Sequence, residues 1–215
     1  MKRQQSRLPK ATTKKEISQL IWEKLKFEDP NVSELSAEER RRLCDHLLEL
    51  QEALSLYDDE FGEVKGYEMD LDTGDSPPIR QHPRSVPPHL RGIVKDQLNV
   101  WLKSGRAEPS TSPWLSNLVV VKSRHSDKWR VAIDFSSVNA TLKNVSRFVS
   151  SLEDSMQNLC PDQERPPAFF TTLDLTSAFM SMKLSEQSKP KTAFHTPYGH
   201  FQLAYAGFGL SSSPG

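Results

Sequence analysis

Asp174 ends an apolar run, Phe169-Phe170-Thr171-Thr172-Leu173-Asp174-Leu175, in which a strand-like segment delivers one carboxylate flanked by leucines. A carboxylate taken out of water is costly unless paired or metal-bound, so Asp174 is a candidate Mg2+ ligand; spacing alone equally allows a cap on a helix starting near Thr176. A second cluster is cationic: Lys122, Arg124, Lys128 and Arg130 fall within nine residues, against the single acid Asp127. Arginine offers paired donors to phosphate oxygens and lysine a compact charge, so fixed cations on a stiff hairpin can hold a triphosphate. Taken alone, a solvated hairpin tip is the plainer reading of the same residues.

Two further stretches carry less. Asp72-Thr73-Gly74 is the tripeptide with which aspartic proteases pair two carboxylates around a shared proton. Here Asp75-Ser76-Pro77-Pro78 follows, which spells a turn and an extended linker. Gly207-Phe208-Gly209-Leu210-Ser211-Ser212-Ser213-Pro214 is a flexible turn followed by serines suited to helix capping.

Elements of both periods must position these groups. Ser36 and Glu39 have capping-box spacing, and Leu43, Leu47, Leu50, Leu54 and Tyr57 recur at fours and threes, an amphipathic helix that rests on a neighbour. Asp58-Asp59-Glu60 and then Pro77, Pro78, Pro83, Pro87 and Pro88 suit an extended connector, and the domain boundary is expected there. A second helix starts at Pro88, carries Leu90, Val94, Leu98, Trp101 and Leu102 on one face and stops at Gly105. Leu118 to Lys122 and the alternating Trp129, Val131, Ile133 and Phe135 predict a β-hairpin with a basic tip. A short helix over 152–159 follows, then strands through 169–175, 180–184, 194–196 and 201–205, with Tyr198-Gly199 turning the last pair.

The chain has 215 residues, 28 Lys+Arg against 28 Asp+Glu, 15 Pro against nine Gly, and 36% hydrophobic residues, enough for one domain or parts of two. The zero net charge is segmental: eight cations and two acids in residues 1–27, four and sixteen in 28–75, sixteen and ten in 76–215. The division expected is a basic, disordered head (1–35), an acidic helix and connector (36–75), and a folded, anion-tolerant module (76–215). No apolar run approaches the roughly 20 residues of a membrane span, and the N-terminus is not a secretory signal. Cys44 and Cys160 lack CxxC partners and nearby histidines and read as free thiols of a reducing compartment, hence an intracellular protein, with cytoplasm and nucleus both open.

Taken in order, several stretches resemble the N-terminal half of a reverse transcriptase from a gypsy-type LTR retrotransposon. They are Asp72-Thr73-Gly74-Asp75-Ser76-Pro77-Pro78-Ile79-Arg80-Gln81, Pro109-Ser110-Thr111-Ser112-Pro113-Trp114-Leu115-Ser116, and Trp129-Arg130-Val131-Ala132-Ile133-Asp134-Phe135 with Val138-Asn139. Thr172-Leu173-Asp174-Leu175-Thr176-Ser177-Ala178-Phe179, Lys191-Thr192-Ala193-Phe194-His195-Thr196-Pro197-Tyr198-Gly199 and Phe208-Gly209-Leu210-Ser211 continue the series. The resemblance covers residues 70 to 215, about two thirds of the chain.

What the resemblance implies is an α+β right-hand polymerase fold, fingers and part of a palm, and RNA-directed DNA polymerisation with two Mg2+ ions in the complete enzyme. Asp174 would match the first metal-binding aspartate, with the carbonyl of Leu175 beside it. Arg130 would grip the incoming triphosphate, with Lys122 or Lys128 as the accompanying lysine. Phe179 sits where the family places an aromatic gate against the 2′-hydroxyl, its alternative being a core aromatic, and Phe208 and Gly209 would border the nascent base pair. The implied partners are an RNA/DNA template-primer, a deoxynucleoside triphosphate and the rest of a Pol polyprotein (remaining palm, thumb, RNase H), with no membrane. The sequence departs from the family pattern at Ser136 (usually arginine), at Gly207 (usually proline) and over Ser146 to Leu152, which lacks the usual prolines. It stops at Gly215 before a Tyr-x-Asp-Asp motif. These departures predict no polymerase activity for these residues alone and leave a decayed or domesticated nucleic-acid- or protein-binding remnant as the alternative.

Overall fold

The computed structural model describes residues 13–29, 35–57, 60–123, 129–143, 151–159 and 174–211. Its contacts divide into two compact units, Met1–Glu60 and Phe61–Gly215.

The first unit is a helix pair. Helix α1 (Lys14–Lys24) and helix α2 (Ala37–Glu49) each begin with a capping box, Thr13 with Glu16 and Ser36 with Glu39. In the second, the Glu39 carboxylate accepts from the Ser36 amide at 2.8 Å while the Glu39 amide donates back to the serine hydroxyl at 3.3 Å. A cap of this kind contributes about 1 kcal/mol, which matters for helices this short. Ile21, Phe27 and Cys44 form the buried centre, with Trp22, Leu47, Leu48, Leu54 and Leu56 around it and Trp22 edge-on to Phe27 at 5.1 Å. Two expectations are corrected here. The basic head was expected to be disordered to residue 35, yet Lys14–Lys24 is the neighbour on which α2 rests. The buried stripe of α2 runs through Cys44, Leu47 and Leu48, spaced i, i+3, i+4, while Leu43 and Leu50 face water.

The second unit carries the candidate site. Its elements are β1 (Glu68–Met69), α3 (Arg91–Lys103, entered by a 3-10 turn at Pro88–Leu90), β2 (Ala107–Pro109), β3 (Asn117–Lys122), β4 (Trp129–Asp134) and α4 (Ser136–Asn139). They continue with α5 (Leu152–Leu159), a 3-10 turn (Ala178–Ser181), β5 (Lys183–Leu184), β6 (Phe194–Thr196) and β7 (Gly199–Leu203). Strands β3 and β4 form an antiparallel hairpin, β2-β7-β6 an antiparallel sheet, and β1 pairs in parallel with β5. Isolated bridges Arg80↔Leu115 and Ser116↔Phe194 join these pieces into a longer extended layer.

Helix α3 buries Val94, Leu98 and Trp101, with Leu90 just before it, as the four-residue spacing requires. It ends where Gly105 takes φ +68: the Arg106 amide reaches back to Trp101 O at 2.7 Å and the Gly105 amide to Leu102 O at 3.2 Å, a Schellman closure. The main core gathers Leu98, Trp101, Trp114, Ile133, Phe135, Phe194 and Leu203, while Val86, Leu90 and Val94 meet Leu118, Val120 and Val131 from the hairpin.

The boundary expected across residues 75–76 is displaced to 60–61. Met69 and Leu71 are 2% and 1% exposed in the same core as Trp101 and Phe194, so the residues before Gly74 are part of this unit rather than a connector. Asp72-Thr73-Gly74 is a turn: the Asp72 carboxylate accepts from the Gly74 amide at 2.8 Å, Gly74 has φ +53, and Lys143 Nζ lies 3.2 Å from Asp72 Oδ2. The Gly74 amide first, and Lys143 second, hold the Asp72 carboxyl below the ordinary aspartate value. The strand expected over 180–184 shrinks to Lys183–Leu184, because Ala178–Ser181 closes into a 3-10 turn behind Ser177, which has φ +53. Of the strand expected over 169–175, residues 169–173 lie outside the described residues, and Asp174 and Leu175 are not in a strand. Among the described residues no helix is long and apolar enough to cross a membrane.

Candidate functional site

The hairpin that carries the cations is anchored at its root by amide side chains. Gln81 Nε2 donates to Asp134 O at 3.0 Å and to Ser137 Oγ at 3.1 Å, while its oxygen accepts from both the backbone and side-chain nitrogens of Asn117, each at 3.0 Å. Asn117 in turn donates to His82 O at 3.0 Å and accepts from the Arg84 amide at 2.9 Å. These buried and half-buried amides satisfy one another, so β3 and β4 leave the body in a defined direction. At the same root, Asp134 accepts from the Ser136 hydroxyl at 2.6 Å and from its amide at 3.1 Å, which holds its carboxyl below the ordinary value; the Arg84 charge adds to this. Ser136, where the family usually has arginine, thus closes the end of β4.

Register separates the candidate cations. Val121 pairs with Arg130 and Lys122 with Trp129, and neighbours along a strand alternate in face, so Arg130 and Lys122 lie on opposite faces of the hairpin at adjacent rungs. Lys122 shares its face with Val120 and Val131, which pack toward α3, while Arg130 is on the outer face and exposed. Lys128 lies outside the described residues.

The loop after β7 is held from a distance. Asn139 Nδ2 donates to Gly209 O at 2.7 Å, and its oxygen accepts from the Ser211 amide at 2.9 Å, so one side chain on α4 grips both sides of Leu210. Gly209 has φ +92, a conformation that L side chains rarely adopt. A Cβ on Gly207 would lie 2.6 Å from Leu203 Cδ1 and 2.8 Å from Phe135 Cε2, so the glycine, where the family usually has proline, permits close packing of the loop on the core. The loop presents Phe208, 69% exposed, edge-on to Phe179 at 5.6 Å. Phe179 also packs against the main core, as the core-aromatic reading of that residue expects.

Asp174 and Leu175 are exposed, Leu175 at 77%, and lead into the left-handed Ser177. The expected burial of the Asp174 carboxylate is not seen, and neither is a helix-capping role: the following 3-10 turn has Ser177 as its cap position and no side-chain cap bond. Mg2+ takes near-octahedral oxygen ligands, with carboxylates from several positions supplemented by water or substrate phosphate. Among the described residues no three His, Cys, Asp or Glu side chains gather to hold an ion, so Asp174 and the Leu175 carbonyl alone do not make a magnesium site.

The sequence reading missed Asn139 and Gln81 as organising residues. Both stood inside recognised stretches, but their partners lie 70 and 36 to 56 positions away and no local pattern announces them.

The model of the family described as reverse transcriptase (RNA-dependent DNA polymerase) matches residues 120–215, which include the hairpin strand β4, Asp174, Phe179 and the Asn139-held loop. That match takes in just under half of the chain. The Pol polyprotein of the Drosophila melanogaster transposon opus is 29% identical over 149 residues, 67% of this chain and 14% of that polyprotein. The Pol polyprotein of transposon gypsy from the same fly is 30% identical over 134 residues, 59% of this chain and 12% of that polyprotein. The chain thus spans about one seventh of the length of such relatives. Among solved structures, the prototype foamy virus protease-reverse transcriptase superposes with a TM-score of 0.76, 19% identity, and 97% of this chain against 26% of that one. Another foamy viral structure, in complex with an RNA/DNA hybrid, gives 0.67 at 17% identity, covering 94% of this chain and 26% of that one. At these identities the likeness is one of fold: α+β, the architecture of a reverse transcriptase.

Proposed function

We propose that residues 61–215 serve as the fingers and first part of the palm of an RNA-directed DNA polymerase within a Pol polyprotein. The observation that carries this reading is the Phe179–Phe208 contact, which joins two recognised stretches 29 positions apart at one exposed aromatic step beside the left-handed Ser177. In the reaction proposed, a primer 3′-hydroxyl attacks the α-phosphate of a deoxynucleoside triphosphate in line, and pyrophosphate leaves. Arg130, exposed on the outer face of the hairpin, supplies paired donors to the triphosphate. Lys122 faces the other way in this arrangement and is not its companion. Phe208 and Gly209 border the nascent base pair, the ring offering a stacking surface, and Phe179 behind it crowds the 2′-position. Asp174 supplies one carboxylate at the reacting phosphate. The other oxygen ligands come from residues not among those described, so no catalytic step is assigned to a metal here.

Fluorescence anisotropy of a labelled RNA/DNA template-primer, titrated at two salt concentrations, tests the reading. Binding should be independent of sequence and fall steeply with salt, because counterion release dominates phosphate contacts. Absence of binding at low salt, or affinity indifferent to salt, would overturn it.

A further inference from the structure

Arg106, the residue before β2, is only 6% exposed, and among the described residues no carboxylate pairs with it. One terminal nitrogen of its guanidinium donates to Gly62 O at 2.8 Å. The guanidinium carbon lies 3.7 Å from the centre of the Tyr205 ring and 5.2 Å from that of Phe61, while Nε has no hydrogen-bond partner. A cation taken out of water without a counter-ion is costly, and aromatic faces with a single carbonyl offset only part of that cost. For folding alone, an apolar side chain of similar length serves this position as well. What it cannot do is donate to Gly62.

Gly62 lies in the strap, residues 61–67, that leads into β1. Phe61 packs against the main core, and the Val64 amide donates to Ser181 O at 2.9 Å. The strap then runs into β1, which pairs in parallel with β5, where Lys183 is matched with Glu68 on one side and bridged to Tyr205 on the other. Ser181 closes the 3-10 turn Ala178–Ser181: its hydroxyl donates to Ala178 O at 2.5 Å, and the Met182 amide donates to Phe179 O at 3.2 Å. This turn starts from the left-handed Ser177 and has no side-chain cap bond, so the bond from Val64 fixes from outside what its own cap does not. Phe179, carried on the turn, is the ring that meets Phe208. A continuous series of contacts thus runs from Arg106 through Gly62, Val64 and Ser181 to the aromatic step.

We propose that Arg106 is a positioning residue: by latching the strap at Gly62 it holds Ser181, and with it the Phe179 ring, where that ring and Phe208 meet a nascent base pair. Arginine suits the task because its flat fork stacks on an aromatic face and donates in its own plane at once. Buried as it is, Arg106 touches no substrate and acts only through the strap. The inference rests on the polymerase reading and deepens it by naming what sets the aromatic step in place.

The test uses the full chain carrying para-fluorophenylalanine at position 179 and compares it with R106M, which keeps an unbranched side chain and removes the donor. The fluorine resonance, amide exchange and thermal unfolding are read in both. Since R106M removes a buried, unpaired cation, its melting temperature should be no lower than the parent's. Exchange at Val64 and Met182 should nonetheless rise about tenfold and the fluorine resonance should shift, while the Leu203 amide, bonded to Thr192 Oγ1, exchanges as before. L98V, which loosens the core without touching the strap, should leave the resonance where the parent has it. An unmoved resonance in R106M, exchange rising equally at Val64 and Leu203, or failure of R106M to fold would make Arg106 a general support, overturning the latch and leaving the polymerase reading standing. An RNA/DNA template-primer added to the parent should shift the same resonance. A resonance that ignores it would overturn both, since the ring would then face no base pair.

Discussion

The loop at 207–211 and the segment at 174–177 both belong to the active centre proposed above, and this chain supports them very differently. The loop is gripped by Asn139 at two backbone atoms, packs Gly207 against Phe135 and Leu203, and sets Phe208 on Phe179. The other segment presents Asp174 and Leu175 to water and enters a non-glycine left-handed residue, Ser177. The wall proposed to face the nucleotide is thus built by these residues themselves, whereas the carboxylate proposed to face a metal stands exposed. Position at an active centre and local order are separate properties: the first follows from topology, the second from hydrogen bonds and packing.

The largest effect that would break this contrast is at Gly207. Gly207→Val places carbon atoms where Leu203 and Phe135 already sit, and overpacking of this kind costs about 1 to 3 kcal/mol. Urea unfolding of the full chain should show that loss, and a variant as stable as the parent would mean the loop is not seated on the core. Asn139→Ala removes two hydrogen bonds, worth about 0.5 to 1.5 kcal/mol each at most, and should speed amide exchange at Ser211 far more than at Leu203. Uniform exchange across both would deny the clamp.

Acid sensitivity sharpens the comparison at a third place. Asp70 accepts from the Ser185 hydroxyl, from Gln187 at 3.1 Å and from Ser188 at 3.5 Å, and these bonds, Ser185 first, lower its carboxyl pKa. A depressed folded value contributes stability above the ordinary aspartate pKa, and that contribution is lost as pH falls through the lowered value. The β1–β5 pairing should therefore loosen only below the usual carboxylate range, and Asp70→Asn should flatten the acid limb of a stability-pH profile. An unchanged acid limb would show that the Asp70 bonds do not hold β1. The smallest effect is expected at Asp174: Asp174→Asn should leave stability within about 0.5 kcal/mol of the parent, because an exposed side chain contributes little to folding. A large loss would show that Asp174 is structural.

Period and capping made much of the fold legible beforehand. Helix α3 with its buried Leu90, Val94, Leu98 and Trp101, the Ser36–Glu39 box and the β3–β4 hairpin follow from local spacing, which needs no knowledge of the rest of the chain. What failed was set by partners distant in sequence. The head of the chain folds because α2 offers it an apolar face. Residues 68–71 join the core because β5, more than a hundred positions later, pairs with them. Of the candidate site, residue types were readable and facing was not. Lys122 and Arg130 look like one cluster in sequence, yet an antiparallel register sends them to opposite faces. Gly207 and Ser136 looked like departures from a family pattern, while in the structure one permits a close approach and the other closes a strand end.

The measurement that tests the central claim most directly is photocrosslinking of the full chain to a template-primer carrying a photoreactive base at the primer 3′ end, with adducts mapped by mass spectrometry. The account predicts adducts within residues 174–179 and 207–211, where the exposed aromatic step lies, diminished when Phe208 is replaced by Ala. Adducts confined to residues 13–57, or adducts at 207–211 that persist undiminished in F208A, would contradict it.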